Sequence, residues 1–179
     1  MTTETKTLWN IDPTHSEIQF KVKHLVISTV TGNFKSFSGK VETEGDDFEN
    51  ANAYFEADIE SIFTNNEDRD THLKSEDFFH AEKHPKLTFE STSFEKTGDD
   101  TYKITGDLTI RDVTKEVELE AVHGGTVDDP YGNTKAGFEI TGTINRKEFG
   151  LTWSAVTEAG NVVVADNIKL QLNLQVVQS

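Results

Sequence analysis

Apolar and polar residues alternate with a period of two along most of this 179-residue chain, and no long stretch follows a helical period. Successive side chains of a β-strand point to opposite faces, so the alternation predicts antiparallel strands with one polar and one apolar face. About eight such runs follow one another at hairpin spacing. Their apolar faces contain Ile18, Phe20 and Val22; Phe37 and Val41; Phe55, Ala57 and Ile59; Leu87 and Phe89; Tyr102, Ile104, Leu108 and Ile110; Val117, Leu119 and Ala121; Phe138, Ile140 and Ile144; and Val164, Ile168, Leu170, Leu172, Leu174 and Val176.

Turn-forming residues separate these runs, as at 44–47. An open antiparallel sheet has two unpaired edges, and closure into a barrel removes both. The sequence therefore predicts an all-β fold, an eight-stranded antiparallel β-barrel built from one domain over residues 1–179. Gly39, Gly106 and Gly142 lie on the inward register. A glycine there permits either sharp curvature of the strand or close approach of a ligand.

One segment departs from the sheet pattern. The Asn65-Asn66 pair offers an N-cap, and acidic residues follow it in what would be the first helical turn. Phe78 and Phe79 give the segment an apolar side, and Pro85 cannot lie inside a helix. We expect one short helix near residues 66–80 that covers one mouth of the barrel.

Composition excludes several classes of function. The chain has 17 Lys and Arg against 32 Asp and Glu, a formal net charge of −15, which disfavours nucleic acid and anionic membrane surfaces as partners. It has no Cys, so disulfides and Cys-ligated metals are absent. No apolar run approaches a membrane span, and residues 1–8 show no apolar leader. We expect a cytoplasmic protein without membrane insertion, or a periplasmic one if a leader has been removed.

The 12 Phe residues line the predicted apolar face, so the barrel is expected to hold an apolar ligand. Apolar burial needs no directional chemistry. Each ring is either a wall residue or ordinary core. The rings predicted to bind ligand are Phe20, Phe34, Phe37, Phe55, Phe78, Phe79, Phe89, Phe138 and Trp153.

A polar head group would need partners at one mouth. Arg69 and His72 are three residues apart, so they can share a helix face, and Arg69 can offer paired donors to a phosphate. The alternative for Arg69 is an ion pair with Asp68 or another neighbouring carboxylate. For Arg146, pairing with a carboxylate is the favoured interpretation.

Other polar groups suggest structure more than chemistry. Asp12, His15 and Ser16 favour a turn stabilised by side-chain hydrogen bonds over a site. His80 and His84 have four-residue spacing, but the pattern of zinc proteases is absent and no metal site is predicted. No nucleophile elbow, P-loop or dinucleotide fingerprint occurs either. We therefore expect no enzyme and no cofactor.

Two blocks and three shorter segments together resemble the YceI-like family of polyisoprenoid-binding, lipocalin-like proteins. They are Asp12, His15, Ser16, Phe20, His24, Leu25, Gly32, Phe34, Phe37 and Gly39; Arg69, His72, Leu73, Asp77, Phe78, Phe79, Pro85 and Phe89; residues 106–115; Gly137-Phe138; and residues 144–151. Asp112 stands where the family commonly has Gly. The resemblance implies a barrel that holds a long-chain amphipathic lipid: a polyisoprenoid, an isoprenoid quinone or a fatty-acid derivative. It also implies a homodimer, since dimers are common in the family.

Three functions follow from this reasoning. The leading one is a carrier or sequestering protein for such a lipid. The second is a structural or interaction protein whose barrel is filled by its own side chains. The third is an enzyme acting on a lipid, with His72 or His24 as acid or base, which requires a histidine and a second polar group to converge inside the cavity.

Overall fold

A computed structural model of the chain describes residues 6–24, 28–44, 47–151 and 164–178. The alternating runs form one antiparallel sheet in these residues. Its strands are β1 (Lys6–Ile11), β2 (Glu17–His24), β3 (Ser28–Phe34), β4 (Phe37–Glu44), β5 (Asp47–Asp58), β6 (Ile62–Phe63), β7 (Lys86–Lys96), β8 (Thr101–Ile110), β9 (Val113–Asp128), β10 (Thr134–Asn145) and β11 (Val164–Gln178). The helix α1 spans Glu67–Lys74, and 3-10 turns span Pro13–His15, Ile59–Ser61 and Arg146–Phe149.

The sheet closes into a barrel because its last strand pairs with its first. β11 pairs with β2, with Leu170 opposite Phe20, and again with β1, with Trp9 opposite Gln178. β1 and β2 act as one interrupted strand, and β3 and β4, which pair with them, act as a second. With β5, β7, β8, β9, β10 and β11 they make the eight barrel strands, and the predicted fold is confirmed.

Side-chain hydrogen bonds fix the break between β1 and β2. Asp12 accepts hydrogen bonds from the Thr14 amide (3.0 Å) and hydroxyl (2.7 Å), and its other oxygen lies 2.8 Å from His15 Nδ1. The bonds with His15 and Thr14 lower the pKa of Asp12 to about 2. Ser16 Oγ accepts from the Gln175 amide at 3.0 Å, which joins the break to β11. The interpretation of these residues as a turn is confirmed.

Neighbouring side chains fill the space that the inward-facing glycines leave open. A Cβ added to Gly106 would lie 2.5 Å from the Phe89 ring and 2.5 Å from the Glu90 carbonyl oxygen. Ile11 occupies the same kind of space at Gly39, and Leu119 does so at Gly142. The idea that these glycines admit a ligand is wrong, because protein atoms already occupy the space that the missing side chains leave.

Candidate binding cavity

The barrel encloses a cavity of about 190 Å³. Inward-facing side chains of its strands form the wall, which is almost wholly apolar because the outward positions of the same strands carry the polar residues. Apolar residues on the wall include Ile11, Ile18, Phe20, Val22, Phe34, Val41, Phe48, Phe55, Leu73, Phe78, Phe79, Leu87, Phe89, Phe94, Ile104, Leu108, Ile110, Val117, Leu119, Phe138, Ile140, Ile144, Leu151, Ile168, Leu170, Leu172, Leu174 and Val176. Such a cavity can accept hydrocarbon and little else.

Most of the rings predicted from the sequence lie on this wall. They are Phe20, Phe34, Phe55, Phe78, Phe79, Phe89 and Phe138. Phe37 is not among the lining residues, although it lies on the same face of β4 as the wall residue Val41, and its ring packs 6.2 Å from that of Phe55. Trp153 lies outside the described residues. The ligand-binding role of these rings stays a prediction.

The helix that was expected to cover one mouth is shorter than predicted. Asn66 caps α1 as expected, with its side chain accepting from the Arg69 amide at 3.0 Å, but α1 ends at Lys74 and none of its residues is buried. The turns that follow carry the buried Phe78 and Phe79. These turns are held by backbone hydrogen bonds, such as that from the Phe79 amide to the Leu73 carbonyl oxygen (3.0 Å). The mouth is therefore covered by the turns after the helix.

Phe79 joins this cover to the barrel wall. Its ring meets that of Phe34 edge-on at 6.1 Å, and Phe34 lies 5.6 Å from Phe20. The three rings line the cavity side of the mouth.

The Arg69 guanidinium is held beside the start of the helix. Its Nε donates to the Thr64 hydroxyl at 2.8 Å, and its Nη2 donates to the Thr64 carbonyl oxygen. Thr64 is buried and also donates from its amide to Asp70 at 2.9 Å. The guanidinium thus ties the helix to the residue that follows β6, and its contact with a ligand phosphate stays a prediction. No carboxylate of the described residues forms a salt bridge with Arg69, so the alternative ion pair is not formed among them.

His72 also faces away from the cavity. Its Nε2 lies 2.9 Å from Asp77 Oδ2, and its ring meets that of Phe78 edge-on at 5.0 Å. The His72 side chain is 40% exposed. Neither Arg69 nor His72 lines the cavity, and the predicted role of the pair at its mouth stays a prediction. His72 does not meet a second polar group inside the barrel. The side chain of His24 is not among those described.

A charged residue that sequence reasoning placed elsewhere lies on the cavity wall. Arg146 is 1% exposed and belongs to the 3-10 turn that follows β10. Its Nη1 donates to the Leu151 carbonyl oxygen (2.6 Å), and its Nε donates to that of Ala165 (2.9 Å). Burial lowers the pKa of this guanidinium below its ordinary value, although the charge of Asp166, 3.8 Å away, opposes the shift. The pairing predicted for Arg146 is thus secondary to its bonds with backbone carbonyls.

The sequence around Arg146 contained a signal for this turn. Asn145 caps the 3-10 turn by accepting from the Lys147 amide at 3.0 Å, and Gly150 ends it with a φ of 81°. An Asn before and a Gly after a short segment indicate a tight turn. They do not indicate that the enclosed arginine points inward.

Arg111 joins the turns that cover the mouth to the end of the 3-10 turn that contains Arg146. Its Nη1 donates to the Phe78 carbonyl oxygen at 2.9 Å and to that of Gly150 at 3.2 Å. Arg111 and Asp112 have φ values of 53° and 61°, which is the two-residue hairpin turn with both central residues at positive φ. Asp tolerates this conformation, so Asp112 is compatible with the turn despite the Gly common in the family.

The opposite end of the barrel is closed by an aromatic floor, formed by Trp9, Phe48, His123 and Phe138. The Phe48 ring lies 5.2 Å from Trp9 and 4.8 Å from Phe138, and His123 stacks on Phe138 at 5.0 Å. Trp9 Nε1 donates to the buried Thr43 hydroxyl at 3.1 Å. Only Phe48 and Phe138 of this group face the cavity.

A larger groove of about 1050 Å³ lies on the outside of the sheet, across β8 to β11. Outward-facing polar residues such as Lys103 and Glu118, which form an ion pair at 3.3 Å, line it. The inner cavity is the better candidate site because it lies inside the barrel and its wall is almost wholly apolar.

The described residues contain no group of three His, Asp or Glu that could hold a metal ion. His80 and His84 have ring centroids 5.7 Å apart, and His84 Nδ1 lies 3.3 Å from Asp112 Oδ2. Within the same part of the chain, no helix is long and apolar enough to cross a bilayer.

The closed antiparallel barrel and its apolar interior define the class of lipocalin-like β-barrels. The YceI-like domain profile matches residues 9–176, and the chain belongs to the YceI-like family. A UPF0312 protein of Staphylococcus epidermidis is 36% identical over 170 residues, which are 94% of this chain and 96% of that protein.

Solved structures show the same barrel. The Campylobacter jejuni YceI protein is 34% identical, with a TM-score of 0.69 over 97% of this chain and 98% of its own. A polyisoprenoid-binding domain from Saccharophagus degradans, implicated in plant cell wall breakdown, is 16% identical. Its TM-score is 0.65 over 94% of this chain and 97% of its own, a similarity that shows the fold alone.

Proposed function

We propose that this protein binds an amphipathic lipid, with the apolar chain inside the barrel, and that it carries or sequesters that lipid. The supporting observation is the enclosed cavity with its apolar wall. The ligand class is that of the family resemblance: a polyisoprenoid, an isoprenoid quinone or a fatty-acid derivative. A structurally similar domain is named for polyisoprenoid binding.

The polar end of the ligand is assigned to the mouth that Phe79 and Arg146 share. Arg146 is the only charged side chain among the buried residues of the described chain, and it lies at this end of the cavity. The aromatic floor offers no such group on its cavity side. A head group at the mouth and a tail toward the floor is the orientation that leaves no polar atom in an apolar environment.

The cavity volume decides how much of the ligand the barrel holds without rearrangement. A cavity of about 150 Å³ accepts a benzene molecule, so 190 Å³ accepts about eight carbon atoms. Eight buried methylenes contribute about 6 kcal/mol, whereas association costs about 4 to 15 kcal/mol. Useful affinity therefore requires a longer chain, and wall side chains must change rotamer to admit it.

Because the cavity is small, a second function is considered as well. A barrel filled by its own side chains, acting as a structural or interaction protein, would need no ligand. Catalysis forms no part of the proposal: His72 lies outside the cavity wall, and the bonds of Arg146 go to backbone carbonyls.

The first experiment is solvent extraction and denaturing mass spectrometry of the full chain purified without detergent. We expect one lipid per protein molecule, and its fragments identify the head group. Recovery of no lipid, together with no uptake of added farnesol, farnesyl pyrophosphate or oleamide, would overturn the proposal in favour of the filled barrel.

Phe79→Asp tests whether the turns after α1 form the entrance. Phe79 is buried and lines the cavity, so a carboxylate there opposes burial of a hydrocarbon chain, and we expect at least a tenfold loss of retained lipid. Phe63→Asp is the matched control, because Phe63 lies on β6 with 38% of its surface exposed. Circular dichroism checks the fold, and Phe79→Asn replaces the charged variant if it unfolds. Unchanged lipid content in a folded Phe79 variant would contradict this assignment.

A cytoplasmic location and a homodimer stay predictions. Size-exclusion chromatography with light scattering measures the oligomeric state directly, and a mass of one chain would rule the dimer out.

A further inference from the structure

The aromatic floor is rigid enough to act as a fixed end of the cavity. Phe48 is 1% exposed and lies between Trp9 and Phe138. Trp9 is itself fixed by its hydrogen bond to Thr43. Rings packed on both sides and a hydrogen-bonded indole leave Phe48 little freedom to move when a chain arrives.

The distance from this floor to the mouth follows from the register of β10 and β11. Phe138 pairs with Leu174 at the floor, and Ile144 pairs with Ile168 at the mouth, six positions along the strand. At about 3.3 Å per residue this is about 20 Å of strand. Barrel strands tilt by about 40°, so the distance along the barrel axis is about 15 Å.

An extended chain advances by about 1.2 Å per bond, since three backbone bonds span about 3.5 Å. The axial distance of about 15 Å therefore matches about a dozen carbon atoms. An eight-stranded barrel is wide enough for one small ligand. A second chain beside the first would need more room than the wall leaves, given a cavity of about 190 Å³.

We propose that Phe48 and Phe138 set the length of the ligand: the barrel takes one extended apolar tail of up to about a dozen carbons, and a longer chain leaves its excess outside the mouth. This inference rests on the proposed function, and it adds the tail length and the residues that set it.

The test is isothermal titration calorimetry of the lipid-stripped full chain with straight-chain carboxylic acids of increasing length, each below its micelle concentration. Every methylene that enters the cavity strengthens binding by up to about fourfold. In the wild type we expect this gain to stop near twelve carbons. Phe48→Ala removes one of the two floor rings that face the cavity, so we expect the gain to continue beyond the chain length at which it stops in the wild type.

Phe89→Ala is the matched control. Phe89 is a cavity-lining phenylalanine of the side wall, and its loss widens the barrel without moving the floor. We expect weaker binding overall, with the gain per methylene ending at the same chain length as in the wild type. Phe48→Leu replaces Phe48→Ala if the latter fails to fold, with a smaller shift in the same direction.

The outcomes separate the two proposals. The length limit is overturned if the gain in affinity continues smoothly to eighteen carbons in the wild type. It is also overturned if the gain ends at the same chain length in the folded Phe48 variant as in the wild type. In both cases lipid binding stands. No binding of any acid also overturns it, and the extraction experiment then decides the proposed function by itself.

Discussion

Replacing Arg146 by methionine tests the contribution of a buried guanidinium to the mouth. Methionine fills a similar volume but donates no hydrogen bond, so the carbonyl oxygens of Leu151 and Ala165 lose donors at 2.6 and 2.9 Å. A buried carbonyl without a partner costs about 1 to 3 kcal/mol, and removal of the buried charge itself offsets part of the loss. Two carbonyls together would cost about 2 to 6 kcal/mol, and after this offset we expect the free energy of unfolding to fall by about 3 kcal/mol.

Asp166 adds little to this loss. It is 46% exposed and keeps Lys147 as a partner at 3.3 Å when Arg146 is replaced. The neighbouring Lys147→Ala variant therefore serves as the control, since it removes an exposed partner of the same carboxylate. An exposed ion pair contributes about 0 to 1 kcal/mol, so we expect this variant to stay within about 0.5 kcal/mol of the wild type.

Equilibrium unfolding in urea, followed by circular dichroism, measures these differences. Arg146→Lys keeps the charge and can reach one carbonyl, so we expect a loss of about 1.5 kcal/mol, half that of methionine. We expect the free energy of unfolding to decrease in the order wild type, Arg146→Lys, Arg146→Met. If Arg146→Met unfolds at the same urea concentration as Lys147→Ala, the carbonyls do not depend on the guanidinium and its structural role is refuted.

Two further substitutions test a strand and the break between β1 and β2. Gly106→Ala places a Cβ 2.5 Å from the Glu90 carbonyl oxygen, and because backbone cannot move cheaply we expect a loss of about 1 to 3 kcal/mol in urea unfolding; Gly137→Ala, with nothing within 4 Å, is the control and should not destabilise. A depressed pKa of about 2 means that Asp12 stabilises the fold above about pH 4 and loses this contribution as the pH falls toward 2. Asp12→Asn should cost about 1 kcal/mol near neutral pH and progressively less in acid; a difference independent of pH would contradict the pKa argument.

The sequence alone determined the features that depend on local pattern. Alternation decides which side chains of a strand share a face, so the barrel and the rings of its wall, such as Phe20 and Phe138, followed from it. Caps act over two or three residues, which is why the turn at Asp12 and the start of α1 at Asn66 were also predictable.

The end of α1 was not predictable in the same way. Phe78 and Phe79 indicate an apolar side in a helix or in a series of turns, and the choice depends on the barrel rings that they meet, such as Phe34. The space at Gly106 was ambiguous for a similar reason, since the Phe89 ring that occupies it comes from the neighbouring strand.

Only the tertiary structure decided where the charges and the closed end lie. Arg146 and Arg69 each lie in a short helical segment capped by an Asn, yet one lines the cavity and the other bonds Thr64 outside it. The aromatic floor joins Trp9, Phe48 and Phe138, which are distant along the chain. The physical reason is that a side chain's face follows from local geometry, whereas its partners depend on which strands the closed barrel brings together.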